Sequence, residues 1–543
     1  MRKMCSLLLI LSLCLGLAAC GAQSEITATS GTESDTGAET DTASDSTSDT
    51  ASDSDLSNTL VYAGEGVSTI NPVLESHGEL TDIIFSGLMK YDANGQPIED
   101  LAESYEYDAD TFTYVFTLRQ DVTWHDGEAF DAEDVVFTYK ELTEDETLSS
   151  SITSNYEDIT DVVAVDAYTV SITLNSYNAA ILDYFTVGIL PQHLLEGEDI
   201  NTTSFNQSPV GTGRYKLVEW DTAGGMITLE RNEDYYDKVP NIERVIYKTV
   251  GDETTKATMI RSGEADLAWL NANYAAQFAD DENYNSWVFT TADYRGASMD
   301  MSSDFWQDNA DSIGVLNYAL DKQAIVDSVL NGQGCVAYSP IQLNPLGTNS
   351  DADIYSYDLE KFDEEMEALG WAKGSDGIYE RNGQRFHFTI QTRDYEEERV
   401  DIANLMSSML LQAGVEMEVV LVTAFDWTAG YDGFLAGYAT QFDPDMIYTQ
   451  FVTGASDNNM HYSNAEVDAL LEEGRHTEDV ETRKEIYGEF EEVYAEAPGI
   501  LLVAYLDGNY VGVSGLEGLD TTRVLGHHAV GVMWNIEEWT LSR

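Results

Sequence analysis

Thr111-Phe-Thr-Tyr-Val-Phe-Thr-Leu118 alternates with period two: Phe112, Tyr114, Phe116 and Leu118 share one face, and threonine fills most of the other. Successive strand side chains point to opposite faces, so this stretch reads as a half-buried strand. Downstream, Asp131 can cap a helix through Lys140, with Asp134 three residues on as a weaker stand-in for the capping-box Glu. Strand followed by helix is the pattern that repeats outward in both directions. Arg214-Tyr-Lys-Leu-Val-Glu-Trp220 and Met226-Ile-Thr-Leu-Glu230, joined through Ala223-Gly224-Gly225, read as a hairpin. Residues 242–250 read as a strand, 254–261 as a helix stopped at Gly263, and 265–270 as a returning strand.

The second half behaves alike. Residues 316–330 carry apolar side chains at helical spacing, 386–390 form a strand, and 400–413 a helix ending at Gly414. Residues 415–422 are a strand. Asn464 caps a helix expected to stop at Gly474, 481–497 is a helix stopped by Pro498, and 501–505 closes with a strand. No internal repeat is present. The chain is therefore α/β, built of several subdomains; at roughly 100–200 residues per domain, 543 residues allow three or four units.

Several segments in this order resemble one family, the family-5 extracytoplasmic solute-binding proteins of ABC importers, which bind dipeptides, oligopeptides or nickel. They are Asp100-Leu-Ala-Glu-Ser-Tyr105, Phe116-Thr-Leu-Arg119 with Val122-Thr-Trp-His-Asp-Gly127, and Asp131-Ala-Glu-Asp-Val-Val-Phe137. Gly211-Thr-Gly-Arg-Tyr-Lys216, Glu230-Arg-Asn-Glu-Asp-Tyr-Tyr236 and Ser262-Gly-Glu-Ala-Asp-Leu267 follow. Leu316-Asn-Tyr-Ala-Leu-Asp-Lys-Gln-Ala-Ile325, Asp443-Pro-Asp445 and Tyr462-Ser-Asn-Ala-Glu-Val-Asp468 complete the set. Each is weak alone; together they span residues 58–543. The resemblance implies a two-lobed, periplasmic-binding-protein-like (flytrap) α/β fold with an extra subdomain inserted in the first lobe. That lobe would comprise 58–290, with the insert at 97–210, and 506–543; the second lobe would be 291–505. The ligand would sit in the cleft and the lobes would close over it. His125, inside the family signature, would then be structural.

The resemblance also nominates site residues. Peptide binders of the family hold the ligand carboxylate with an Arg just before the helix that ends in the Gly-Val turn. Arg393 occupies that position here, and its fork suits a carboxylate. The Asp that pairs with the ligand amino group is replaced by Thr440. Asp443, Asp445, Asp426 or Glu79 are the acids nearby, although Asp443 reads first as a turn former. Glu65 and His77 follow the first strand toward the cleft, Trp427 and Tyr438 flank the second-lobe loop, and Arg295 lies where the chain should cross between lobes, as a second anion anchor. Two peptide termini make a short peptide the first expectation. A nickel or metal-chelate receptor is the alternative, with His77 and His461 as loop histidines. His527-His528 is the one histidine pair; on a strand its rings would point to opposite faces and seldom share a metal. A sensor or adhesin reusing the fold is the reading from a different class.

The N-terminus reads as an address. Arg2 and Lys3 precede a short apolar run ending Leu17-Ala18-Ala19-Cys20-Gly21. The run is too short to span a bilayer, which needs about 20 residues, and its ending resembles a lipobox. Residues 1–19 would be cleaved and Cys20 lipidated. The acidic Ser/Thr stretch through residue 57 would be a solvated linker: residues 23–55 hold nine acids and no base. Two of the four cysteines would leave with the signal and one would take lipid; Cys335 alone would remain, so no intrachain disulfide is expected.

Lys and Arg number 26 against 98 Asp and Glu, a formal charge of −72. That repels phosphate backbones and argues against a nucleic-acid partner. Gly-x-Ser-x-Gly, Walker A, His-Glu-x-x-His and Gly-x-Gly-x-x-Gly motifs are absent, so no enzyme is expected. The expectation is a monomeric, lipid-anchored binding protein without cofactor, whose partners are a small solute, an ABC permease and its ATPase subunits.

Overall fold

The alternating stretch becomes the strand Thr113–Leu118, with Tyr114, Phe116 and Leu118 buried. Phe112 does not join it: its φ of 51° puts it in the turn from the preceding strand, Ala102–Asp108, with its ring packed against the core. A hairpin turn needs a residue at positive φ, and here a Phe supplies it in place of the usual Gly or Asn. The computed structural model describes residues 58–74, 78–425, 430–440 and 442–543.

Asp131 caps the helix Ala132–Glu144, accepting from Glu133 N at 2.9 Å, while Asp134 accepts from Asp131 N at 3.1 Å and closes the capping box. Asp134 also accepts from Trp124 Nε1 (3.1 Å) and Gln192 N (2.9 Å). One carboxylate thus fixes a helix start, a buried indole and a neighbouring loop. The helix covers one face of the four-stranded antiparallel sheet Ala102–Asp108, Thr113–Leu118, Thr169–Leu174, Ile159–Asp166.

A second sheet runs the length of the described body. Its eleven strands include, in spatial order, Glu416–Val422, His387–Arg393, Gly433–Ala439, Tyr284–Met299, Ile500–Val513, Leu267–Leu270, Thr59–Gly64, Arg244–Thr249, Met226–Arg231 and Tyr215–Asp221. The two long central strands pair antiparallel end to end, with bulges between Thr290 and Tyr294 and between Arg295 and Gly296. Bulges re-aim side chains, and here Arg295 Nη1 donates to Asp293 Oδ1. The apolar cores divide at this crossing. One gathers residues from Leu60 to Phe289 and from Tyr510 to Trp539; two others lie between Tyr294 and Leu506; a fourth covers the opposite face of Thr59–Gly64. This is the two-lobed α/β architecture expected.

Local readings hold where caps are strong. Glu253–Ser262 stops at Gly263 (φ 76°) and Glu397–Ala413 at Gly414 (φ 102°), both left-handed caps. The single helix expected over 316–330 is instead broken. Ile313–Leu316 passes through a 3-10 turn to an extended Leu320, and Asp321 starts Lys322–Ser328 by accepting from Ala324 N at 3.0 Å. An Asp side chain that can cap competes with helix continuation, and here the cap wins. The helix begun by Asn464 runs past Gly474 to Arg475. His527 and His528 lie in a 3-10 turn, with His528 at φ 56°, not on a strand.

Candidate functional site

A cavity of about 670 Å³ lies between the two core regions, and a second of about 400 Å³ adjoins it. Gly78, Thr81, Arg393, Arg399, His528 and Val530 line both. Small-ligand cavities run from about 300 to 1,000 Å³, so the larger one suits a solute of a few residues.

Arg393 ends the strand His387–Arg393, and Glu397–Ala413 begins four residues later. Its Nη1 donates to Glu396 Oε1 at 2.9 Å and its guanidinium lies 4.8 Å from the Phe425 ring. Burial lowers its pKa, but Glu396 outweighs that and holds it above the ordinary value. Its side chain keeps 33% exposure, so it remains reachable.

Arg399, in the first turn of Glu397–Ala413, is buried and pairs with Glu396 Oε2 at 2.7 Å. Its Nη2 donates to both His527 Nε2 (3.2 Å) and His528 Nε2 (2.9 Å). Their Nδ1 atoms face Asp293 Oδ1 at 2.8 Å and Glu65 Oε2 at 2.9 Å. A guanidinium only donates, so each Nε2 is the acceptor and each Nδ1 carries the proton. Burial pushes His527 well below the ordinary histidine value, more than Asp293 restores. Burial would raise Glu65, but His528, Lys256 and Arg399 outweigh it and hold the carboxylate well below its usual range.

Arg295 is not offered as an anion anchor. Its Nη1 lies 2.5 Å from Asp293 Oδ1 and its Nε 3.4 Å from Glu398, at 2% exposure. Gly437 permits this packing: a Cβ there would stand 2.2 Å from Arg295 Nη1 and 2.6 Å from His527 Cε1. Arg295 lines the smaller cavity with its charge already paired. Two other expected residues face elsewhere. Thr440 is buried and donates to Pro340 O at 3.0 Å. Asp443 caps Pro444–Ile447 and takes both Arg483 Nη atoms at 2.9 and 2.8 Å. Tyr438 lines the larger cavity, half-buried, with its ring 6.2 Å from that of Tyr294. His461 is exposed and pairs with Asp300 at 2.9 Å. His125 takes a structural role, accepting from Gly211 N at 3.2 Å and donating to Gly213 O at 3.0 Å; burial pushes its pKa down to about 4. Cys20, His77, Asp426 and Trp427 lie outside the described residues.

Of the cavity-lining acids with no ion pair among the described residues, burial raises Glu79, Asp183 and Asp457 furthest. Glu79 lines the smaller cavity; Gly531 N donates to its Oε2 at 3.3 Å, its Oε1 has no hydrogen-bond partner among the described residues, and burial pushes its pKa up to about 8. Asp457 lines the larger one, and among the described residues its carboxylate accepts only from Asn459 Nδ2, at 2.9 Å; burial pushes it up to about 7. No ion pair reaches Asp457 among the described residues. Sequence reading had no signal for it, since it sits in an irregular loop as one of 98 acids. Among the described residues no group of three or more His, Cys, Asp or Glu is placed to hold a metal, and no helix is long and apolar enough to cross a membrane.

Residues 96–465 match the model of the bacterial extracellular solute-binding proteins, family 5 (middle region). Protein XP55 of Streptomyces lividans is 30% identical over 461 residues, 83% of this chain and 84% of that protein. The crystal structure of NikZ from Campylobacter jejuni in complex with Ni(L-His) has a TM-score of 0.83 at 35% identity, covering 89% of this chain and 99% of that one. The oligopeptide-binding protein AppA from Bacillus subtilis, solved with a nonapeptide, has a TM-score of 0.80 at 25% identity, with the same coverage.

Proposed function

This chain belongs to the family 5 bacterial extracellular solute-binding proteins, and on that premise we propose that it is the receptor of an ABC importer for short peptides. The observation that carries the solute class is the pair of opposite charges on one cavity. Arg393 offers a guanidinium to the ligand carboxylate, and Asp457, uncompensated, offers a carboxylate to the ligand amino group. Arg393, Tyr438 and Asp457 all line that cavity, which supports one chamber for the two poles. Asp457 thus takes the part that Thr440 cannot play. The lobes are assigned as 58–290 with 506–543 and as 291–505, supported by the division of the cores at the bulged crossing. Closure of the lobes over the solute hands it to the permease.

The amino-group assignment is testable by pH. A peptide amino group stays protonated up to about pH 7.7, so the titrating partner below that is the acid. With Asp457 raised to about 7, binding must expel its proton, and affinity should fall as pH drops from 7 to 5, by up to tenfold per unit. Calorimetric titration should show this slope in wild type and a weaker, flatter response in Asp457→Asn. Tyr438 and Asn459 flank Asp457 and do not titrate in this range. An unchanged slope in Asp457→Asn would assign it to another raised cavity acid, such as Asp183 or Glu79, each pushed up to about 8.

One observation favours a second reading, a nickel–amino-acid chelate. The His527 and His528 rings stand 4.0 Å apart with both Nε2 atoms on one guanidinium nitrogen. If Arg399 turned aside, two imidazole lone pairs would face a common point. His77 would be the loop ligand and Arg393 would keep the amino-acid carboxylate.

The same reading places the protein on the outer face of the cell membrane through lipid on Cys20. Cys20→Ser should release it to the soluble fraction. A variant that still pellets with membranes and resists carbonate extraction contradicts the anchor.

A further inference from the structure

Six cationic side chains other than histidine line the larger cavity, and five are committed. Lys90 pairs with Asp100 and Asp237, Arg214 with Glu537, Lys238 with Glu538, and Arg393 and Arg399 with Glu396. Arg523 is different. Among the described residues no hydrogen bond or ion pair reaches it, and its guanidinium contacts only rings: Tyr91 at 5.6 Å, Phe442 at 5.2 Å and Trp534 at 5.5 Å from their centroids. Aromatic faces attract the cation but accept none of its N–H bonds in the guanidinium plane. Burial pulls its pKa below the ordinary arginine value, and Asp82 and Asp92 lie close enough to offset this only in part. Half-buried donors without acceptors are costly to leave unpaired.

The cage joins the two core regions. Tyr91 and Phe442 stack at 3.7 Å, and Phe442 comes from the loop after Gly433–Ala439. Gly95 lets that ring in: a Cβ there would stand 2.6 Å from Phe442 Cδ1. The rings therefore fix the plane of the guanidinium only when the two regions are together, as they are here.

We propose that Arg523 is a second anion anchor of this cavity, taking a carboxylate of the solute other than the one held by Arg393. The solute class is then a short peptide with an acidic side chain. A caged, planar fork with open edges suits bidentate carboxylate pairing. This inference rests on the peptide reading above, and the experiment separates the two.

The full-length protein, stripped of bound solute, is equilibrated with a casein hydrolysate, and retained peptides are identified by mass spectrometry. Retained sequences are then made as synthetic peptides, each with a twin carrying Gln for Glu or Asn for Asp. Wild type should retain acidic peptides preferentially and bind the acid over its amide twin by roughly tenfold or more. Arg523→Gln should bind the amide twin as wild type does and lose the preference; Arg523→Lys, a point charge without the fork, should keep part of it. Unchanged preference in Arg523→Gln overturns this inference and leaves the peptide reading standing. Equal wild-type affinities for acid and amide twins overturn it with no variant needed. Retention of no peptide at all overturns the peptide reading, and this inference with it.

Discussion

Arg475→Ala should lower the free energy of unfolding by about 3–5 kcal/mol, the cost of leaving a buried charge without its partner. Arg475 and Asp445 are exposed by only 2% and 0%. Arg475 Nη2 and Nε reach Asp445 Oδ2 at 2.7 and 3.0 Å, and Tyr184 Oη donates to the same oxygen at 2.5 Å. Nη1 donates to Ser154 O at 3.2 Å, and the guanidinium lies 3.4 Å from the Tyr448 ring centroid. The pair therefore binds the segment carrying Ser154 and Tyr184 to the region carrying Asp445 and Arg475. Alanine would strand the Asp445 carboxylate, with the hydroxyls of Tyr184 and, at 3.5 Å, Tyr487 left to compensate it. Neutralising the acid as well, in Arg475→Met with Asp445→Asn, should recover a large part of the loss, because the penalty belongs to the stranded charge and not to the missing pair. Urea unfolding at constant m-value is the measurement. A loss under about 1 kcal/mol would mean that water reaches Asp445 and that the pair behaves like a surface ion pair.

The second large effect is on binding. Arg393→Ala should weaken capture of the co-purified solute by about 2–5 kcal/mol, roughly 30- to several-thousand-fold, because the ligand carboxylate would be desolvated and unpaired. Arg393→Lys should recover only part, lacking the planar fork. The control must be an arginine whose loss leaves the fold intact. Arg381, beside the turn at Asn382-Gly383, is unsuitable. It donates to Asp311, Asn309, Asp308 O and Leu369 O and stacks on Trp371 at 4.7 Å. Arg385, which pairs on the surface with Asp376 and Glu416, serves instead. Equal calorimetric affinities for wild type and Arg393→Ala would move the carboxylate anchor to Arg523.

What the sequence disclosed was mostly local. Asp131 with Asp134, Gly263 and Gly414 act within a few residues, so cap chemistry located those helix ends before any tertiary contact was known. The break at Leu320 was also local, but two signals competed, apolar spacing and a capping Asp, and pattern alone could not rank them. The proposed site is legible only where it reuses a family segment, as at Arg393. Asp457 and Arg523 carry no motif. Arg523 acquires meaning from Tyr91, Phe442 and Trp534, which are remote in the chain and meet only through the fold. On a strand His527 and His528 would diverge; in the 3-10 turn, with His528 at φ 56°, both rings meet Arg399. Thr440 and Asp443 sit beside the cavity in sequence, yet Pro340 and Arg483 claim them.

The claim that this chain captures a short peptide in its interlobe cavity is tested most directly by native mass spectrometry of the protein as purified, before any ligand is added. The account predicts adducts at the masses of short peptides, lost on mild activation and absent from Arg393→Ala. A single adduct carrying the nickel isotope pattern with one or two amino acids, and no peptide, would contradict it and establish the metal-chelate reading in its place.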